Sequence, residues 1–178
     1  MPDPRLMFQP VIVPLLPEHW PDISRVYAEG IATGNATFEK VVPTWAQWDA
    51  ARLAGPRLGA IVDRRLQGWA ALSPVSARAV YAGVAEVGLY VGASARGQGV
   101  GRALLGALVQ ASEASGLWTL QAGIFPENHA SVAIHVAASF RHVGVRERLG
   151  QQDGRWRDVL LLERRSALVG VVPEPPLA

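Results

Sequence analysis

The sequence predicts an α/β or α+β domain with a mixed central sheet and helices packed against it. Three observations predict it. Short runs rich in β-formers alternate with segments of helical periodicity along most of the chain. The last two such runs bracket Gln151-Gln-Asp-Gly154 and read as an antiparallel hairpin. Finally, 178 residues, 49% apolar and 18% charged, suffice for one filled core and argue against wholesale disorder.

Each element follows in order. Residues 8–16 read as a first strand. Pro17-Glu-His-Trp-Pro-Asp22 marks a helix start, with Ile23, Val26, Tyr27 and Ile31 at helical spacing until Gly34-Asn35 stops it. A second helix is expected to hold Trp45, Trp48, Arg52 and Leu53. Residues 58–62 and 68–72 read as paired strands around 63–67, and 85–91 as another strand. Residues 100–112 form a strongly amphipathic helix with Val100, Leu104, Leu108 and Ala111 on one face. A strand over 117–125, a short helix over 128–138 and strands over 140–149 and 156–163 complete the order βααβββαβαββ. Residues 1–165 are read as the domain and 166–178, with three prolines, as a loosely ordered tail.

Composition narrows the function classes. A formal net charge of +2 is too small for a protein whose main business is gripping a nucleic-acid backbone. The chain has no cysteine, which excludes disulfides, cysteine zinc sites and a thiol nucleophile, and suits a reducing compartment. His19, His129 and His142 show no metal-ligand spacing, so no metal is expected. Met1-Pro-Asp-Pro-Arg5 does not read as a signal peptide, and no segment reaches the roughly 20 apolar residues of a membrane span. The expectation is a cytoplasmic protein with no nucleic-acid or membrane partner.

The most informative segment is Tyr90-Val-Gly-Ala-Ser-Ala-Arg-Gly-Gln-Gly-Val-Gly-Arg102, which leaves a strand, crosses a glycine-rich turn and enters a helix. Gly97, Gly99 and Gly101 let backbone N–H groups approach a ligand, the helix start adds its positive dipole end, and Arg96 and Arg102 add charge. Together they suggest a phosphate site; a tight turn with glycines for geometry is the alternative. A P-loop is excluded because no lysine is present, and the third glycine of a dinucleotide fingerprint is missing.

Arg96-x-x-Gly99-x-Gly101 after a strand resembles the acyl-CoA pyrophosphate signature of the GCN5-related N-acetyltransferase (GNAT) superfamily. Four further stretches resemble its phosphinothricin and methionine sulfoximine acetyltransferase branch. They are Gly34-Asn-Ala-Thr-Phe-Glu39 with Pro43, Ala85-Glu-Val-Gly-Leu-Tyr-Val91, Pro126-Glu-Asn-His-Ala-Ser131 with His135, and Asp153-Gly-Arg-Trp-Arg-Asp158. The matches run in the expected order over about residues 30–160.

The resemblance implies the GNAT acyl-CoA N-acyltransferase fold: a mixed sheet splayed at the cofactor strand, with helices on both faces. It implies acetyl-CoA as acyl donor and a small-molecule amine as acceptor. It places the pantetheine arm on Leu89, Tyr90 and Val91, and the pyrophosphate on Arg96, Gly97, Gln98, Gly99, Val100, Gly101 and Arg102. It places Asn128 and Ser131 against the CoA arm, although Asn128 also reads as an ordinary helix N-cap. Homologues of the branch commonly pair as dimers, which implies a homodimer.

Acetyl transfer needs a neutral amine, and a carboxylate can take the ammonium proton through one water. Glu86 lies in an otherwise apolar strand. If it faces a cleft, desolvation would raise its pKa; if it faces solvent with Gly88 and Tyr90, it is an ordinary strand residue. The resemblance makes it the general base. His135 stands where many members carry a tyrosine acid, so it reads as a proton donor to the departing thiolate or as pocket wall. A direct ternary-complex attack is expected, with a strand N–H stabilising the oxyanion.

For the acceptor, Phe38 and Glu39 fall in the stretch resembling the substrate loop and Trp156 in the stretch resembling the far wall, with core or edge aromatics as the alternative. Arg78 is the sole arginine just before the central strand; Ser76 and Ala82 occupy the positions where the branch carries carboxylate-binding arginines. Seven arginines within 141–165 read as the solvated face of two strands. Two rival readings remain: acetylation of a protein or peptide N-terminus, and a CoA-binding sensor without turnover.

Overall fold

The computed structural model describes residues 10–171. Its elements are β1 (Val11–Pro14), α1 (Trp20–Ile31), α2 (Trp45–Ala50), β2 (Arg57–Val62), β3 (Arg65–Pro74), β4 (Val84–Val91), α3 (Val100–Ala114), β5 (Thr119–Ile124), α4 (His129–Ala137), β6 (Arg141–Gln152) and β7 (Arg155–Arg165). This is the order expected from periodicity. The seven strands form one mixed sheet in the order β1-β2-β3-β4-β5-β7-β6.

Strand β3 forms the spine. Trp69, Ala70, Ala71 and Leu72 are all fully buried, because alternate residues serve two cores. Ala70 and Leu72 pack with Val100, Leu104, Leu105 and Leu108 of α3. Trp69 and Ala71 pack on the opposite face with Ile23, Val26 and Tyr27 of α1 and Trp48 of α2. Helices therefore cover both faces. The hairpins β2–β3 and β6–β7 turn on Asp63-Arg64 and Asp153-Gly154, all four with positive φ, as type I′ hairpin turns require.

Strands β4 and β5 form the sheet's parallel pair, through only three register pairs: Val84 with Thr119, Ala85 with Leu120 and Glu86 with Gln121. Beyond them β4 stays on β3 as far as Val91, while β5 stays on β7 as far as Ile124. The two strands diverge and leave a wedge in the sheet.

Four readings change in detail. The first strand is described only from Val11, and Phe8 and Gln9 lie outside the described residues. Helix α2 ends at Ala50, before Arg52 and Leu53, because Leu53 N–H donates to Leu72 O and Arg57 Nε binds Leu53 O, drawing the chain onto the sheet. Ser112, not Ala111, completes the buried stripe of α3, its hydroxyl donating to Val109 O. In the segment read as a loose tail, Ser166 is buried, its N–H donates to Trp118 O, and Arg165 binds the carbonyls of Val169 and Gly170; residues 172–178 lie outside the described residues. Among the described residues no helix is long and apolar enough to cross a membrane.

Gly30, in the last turn of α1, marks the tightest helix–sheet approach. A Cβ there would lie 2.6 Å from Cδ1 of Tyr90, whose ring is stacked on Trp69 at 4.7 Å and tilted on Tyr27 at 4.7 Å. Helix propensity alone favours alanine over glycine by about 1 kcal/mol. Gly30→Ala is nevertheless expected to destabilise the protein by about 1–3 kcal/mol, because the stacked ring cannot yield. Thermal or urea denaturation checks this: an unchanged or raised midpoint would show that Tyr90 moves freely.

Candidate active site

The turn after β4 is built from α1 as well as from its own residues. Gly92 N–H donates to Gln67 O, and Ala93 N–H donates to Glu29 Oε2 at 2.6 Å. Burial would raise the Glu29 carboxyl, but the Ala93 N–H and the Arg25 guanidinium hold it below the usual range. Arg96 folds back, Nε onto Val91 O at 3.1 Å and Nη2 onto Glu29 O at 3.2 Å. Its guanidinium therefore shapes the turn, whereas the sequence reading aimed it at a phosphate. Gly97 and Gly99 have φ of 76° and 83°, and no heavy atom lies within 4 Å of a Cβ added at either. Helix α3 starts without a side-chain cap. Its first N–H groups thus have no side-chain acceptor, and exposed Arg102 stands beside them, an arrangement that can accept an anion.

The Gly92–Gln67 bond sets the hydrogen-bond alternation of β4. In an antiparallel pair every second residue faces its partner, so Gly88 and Tyr90 turn their backbone groups to β3. Val87, Leu89 and Val91 turn theirs to the wedge. Leu89 and Val91 are thus placed as expected, with Val91 O taken by Arg96. Tyr90 is not: its backbone serves β3 and its ring lines the other side of the cleft. Burial pushes the Tyr90 hydroxyl well above its ordinary pKa, with Tyr27 adding to the shift.

A cleft of about 380 Å³ passes through the wedge. Glu86 and Gln121, the last paired residues, stand at its narrow end, with Gln121 Nε2 donating to Glu86 Oε2 at 2.9 Å. Glu86 faces the cleft but is exposed, so the burial expected to desolvate it is absent from the chain's own packing.

Asn128 caps α4, its Oδ1 accepting from Ser131 N–H, while Nδ2 donates to Asn35 O. It and Ser131 both line the cleft. His135 lines it too and is 2% exposed, its ring edge-on to Phe140. Its Nδ1 lies 2.8 Å from Ser131 O. A carbonyl can only accept, so Nδ1 carries the proton, and Nε2 of the neutral ring is a bare acceptor with no partner. Burial lowers the His135 pKa, and the Ser131 carbonyl offsets this in part. The resting ring therefore has no Nε2 proton to donate, which disfavours the acid role read from sequence.

Of the residues expected to bind the acceptor, Phe38 and Glu39 line the cleft. Phe38 stands edge-on to Phe125 and fills the space a Cβ on Gly150 would need. Trp156 and Arg78 do not line it. Trp156 is 60% exposed on the outer hairpin, and Arg78 lies over the exposed ring of Tyr81. Arg52 and Arg146 line it instead.

Arg157, read as part of a solvated face, is a half-buried tether. It lies 4.0 Å over the Phe125 ring and binds Gly34 O, Asn35 Oδ1, Gln152 Oε1 and Glu127 Oε2. It thereby joins the loop over 34–39, the start of α4 and the hairpin. Strand alternation could mark Arg157 as inward-facing, but nothing local names its partners.

Residues 20–140 match the family model described as Acetyltransferase (GNAT) family. The chain belongs to the GNAT acetyltransferase family. It is 36% identical over 150 residues to the phosphinothricin N-acetyltransferase of Alcaligenes faecalis, covering 81% of this chain and 76% of that protein. It is 35% identical over 83 residues to an L-methionine sulfoximine/L-methionine sulfone acetyltransferase of Pseudomonas aeruginosa, covering 47% of this chain and 48% of that one. The crystal structure of a GNAT superfamily phosphinothricin acetyltransferase from Sinorhizobium meliloti, in complex with acetyl-CoA, superposes with a TM-score of 0.84 at 26% identity over 95% of each chain. The fold and the family expected from the glycine signature are both met, and this GNAT chain is an N-acetyltransferase by that membership.

The buried His135 of this acetyltransferase makes its stability pH-dependent. Below about pH 6.5 the unfolded chain binds a proton that the native ring refuses. The stability His135 confers is therefore complete above its unfolded pKa and lost as pH falls toward its lower native value. Melting temperatures between pH 8 and 5.5 should show the margin of wild type over His135→Gln shrinking as pH falls. A margin independent of pH would overturn this.

Proposed function

We propose that this acetyltransferase moves an acetyl group from acetyl-CoA to the primary amine of a small molecule by direct attack in a ternary complex. The acceptor is an amino acid or analogue such as phosphinothricin or methionine sulfoximine or sulfone. The observation that carries the reading is the wedge between β4 and β5, with a carboxylate at its narrow end and an open, uncapped helix start beyond its wide end. The substrates named for the related Alcaligenes and Pseudomonas enzymes support the acceptor class, and the acetyl-CoA named for the Sinorhizobium structure supports the donor.

The residues fit that donor. Unobstructed Gly97 and Gly99 leave N–H groups from Gly97 through Arg102, those of Gln98 and Val100 included, free to hold a pyrophosphate. The wedge-facing amides of Leu89 and Val91 would hold the pantetheine arm, with Asn128 and Ser131 at its side. The donor supplies the activated acetyl group. Glu86 takes the ammonium proton through a water, and Gln121 fixes which carboxylate oxygen is free. A β4 N–H faces the developing oxyanion. His135 walls the site and offers Nε2 as an acceptor. Phe38 and Glu39, held by the Arg157 tether, border the acceptor.

We also propose a homodimer and a cytoplasmic setting. Strand β6 ends the sheet, and Val143, Val145, Leu149 and Trp156 lie exposed on its hairpin, a surface suited to a second copy. The absence of cysteine suits a reducing compartment.

Two measurements test these readings. Thiol release from acetyl-CoA across a panel of amino acids, sulfoximines, polyamines and short peptides should show turnover with an amino-acid acceptor. Glu86→Gln should lower kcat about 10²-fold or more while the KM for acetyl-CoA holds. Full activity in that variant would remove Glu86 as base, and turnover confined to peptides would replace the acceptor class. For the assembly, light scattering should give the mass of two chains for wild type and of one for Val145→Glu; a monomeric wild type would end the dimer proposal.

A further inference from the structure

We propose that Arg52 is the residue that recognises the carboxylate of the acceptor, a role that rests on reading the acceptor as an amino acid or close analogue. Arg52 lines the cleft, half-buried, with its guanidinium 5.7 Å from the ring centre of Trp48 and 5.8 Å from that of Trp69. Its Nη1 donates to Ser73 Oγ, and its buried Nε meets no acceptor. Among the described residues no carboxylate lies within ion-pair distance of it, whereas Arg25, Arg57, Arg157 and Arg164 each pair with an acid. A cation partly withdrawn from water and left without an anion is costly, and a bound carboxylate removes that cost.

Position makes the assignment specific. Ser73 stands directly opposite Glu86 in the β3–β4 register, so their side chains share one face of the sheet. The guanidinium bonded to Ser73 is therefore one side chain away from the proposed base, which is held instead by Gln121. An α-amino acid carries its amine and its carboxylate on one carbon. Glu86 and Arg52 line the same cleft, so one such acceptor can turn its ammonium toward the acid and its carboxylate toward the guanidinium.

The neighbours keep Arg52 in place. Arg57 binds the Asp49 carboxylate and the carbonyls of Asp49, Leu53 and Arg52, which pins the turn that carries it. Gly88 leaves the strand beside it bare; a Cβ there would sit 3.9 Å from Arg52 Cζ. Arg146 is the other cation lining the cleft among the described residues, but it is exposed on edge strand β6, on the far side of β5 and β7 from β3, and serves as the control.

The test compares an accepted amino acid with its carboxamide, in wild type, Arg52→Met, Arg52→Lys and Arg146→Met. Arg52→Met should raise the acceptor KM for the acid about 10- to 100-fold and leave the carboxamide and acetyl-CoA values near wild type. Arg146→Met should change the acid-to-amide ratio by less than the Arg52 variants do. If Arg52→Met does not fold, Arg52→Lys carries the test, since it keeps the charge and loses the planar fork, and should erode the discrimination several-fold. Equal losses on acid and amide, or none, would overturn the proposal while the acetyltransferase reading stands. A wild type that binds acetyl-CoA yet acetylates only amines without a carboxylate would sink the acceptor class, and the role of Arg52 with it.

Discussion

The parallel contact between β4 and β5 is the constraint on which the rest depends. Three register pairs join the strands before each follows a different antiparallel neighbour. A longer contact would satisfy the backbone of Val87, Leu89 and Val91 within the sheet and close the cleft. A shorter one would loosen the two halves of the sheet. The divergence leaves backbone groups inside a folded core without strand partners, which is tolerable only where they line a cavity. It also puts Glu86 and Gln121 at the vertex, so the last paired residue of β4 is one that lines the cleft, hydrogen-bonded to its register partner on β5.

Helix α1 ties β4 to the glycine-rich turn that follows it. Glu29 accepts from Ala93 and lends its carbonyl to Arg96, and Gly30 admits the Tyr90 ring. The aromatic stack of Tyr27, Tyr90, Trp69 and Trp48 continues from there to the guanidinium of Arg52. A displacement of α1 would therefore reach the glycine-rich turn, the β4 face and the Arg52 side of the cleft together. Packing of large flat rings at native density is what makes that coupling stiff.

Arginine does the work of lysine throughout this chain, and its planar fork explains how. Arg157 gathers the loop over 34–39, the start of α4 and the hairpin at one half-buried point, and Arg57 pins the turn after α2 by binding a carboxylate and three carbonyls. Each satisfies several acceptors at once, which a compact ammonium does with less geometric control. Against that pattern, Arg52 is the cleft arginine that makes one hydrogen bond and no ion pair among the described residues.

Much of the fold was legible locally. Apolar spacing named the α-helices and strands in order, and the glycines after β4 marked a left-handed turn into a helix start, because a helix period, a strand period and a left-handed glycine are all short-range properties. The resemblance to the family, rather than local pattern, pointed to Glu86, Leu89 and Asn128, and all three line the cleft. What local pattern could not decide was direction and partnership. Arg96 turned back onto Val91, Arg78 and Trp156 stayed outside the cleft, and Arg157 went in where a solvated face was expected. The helix expected through Arg52 ended early because the sheet edge at Leu72 claimed Leu53 N–H. Neighbouring residues were enough to set which segments become helix or strand and which turn takes left-handed glycines, since both follow from short stretches of chain. Which arginines enter the cleft and which of them is half-buried there without an acid was set by the assembled fold, because charge pairing joins residues far apart in the chain and depends on how the sheet and its loops meet in space.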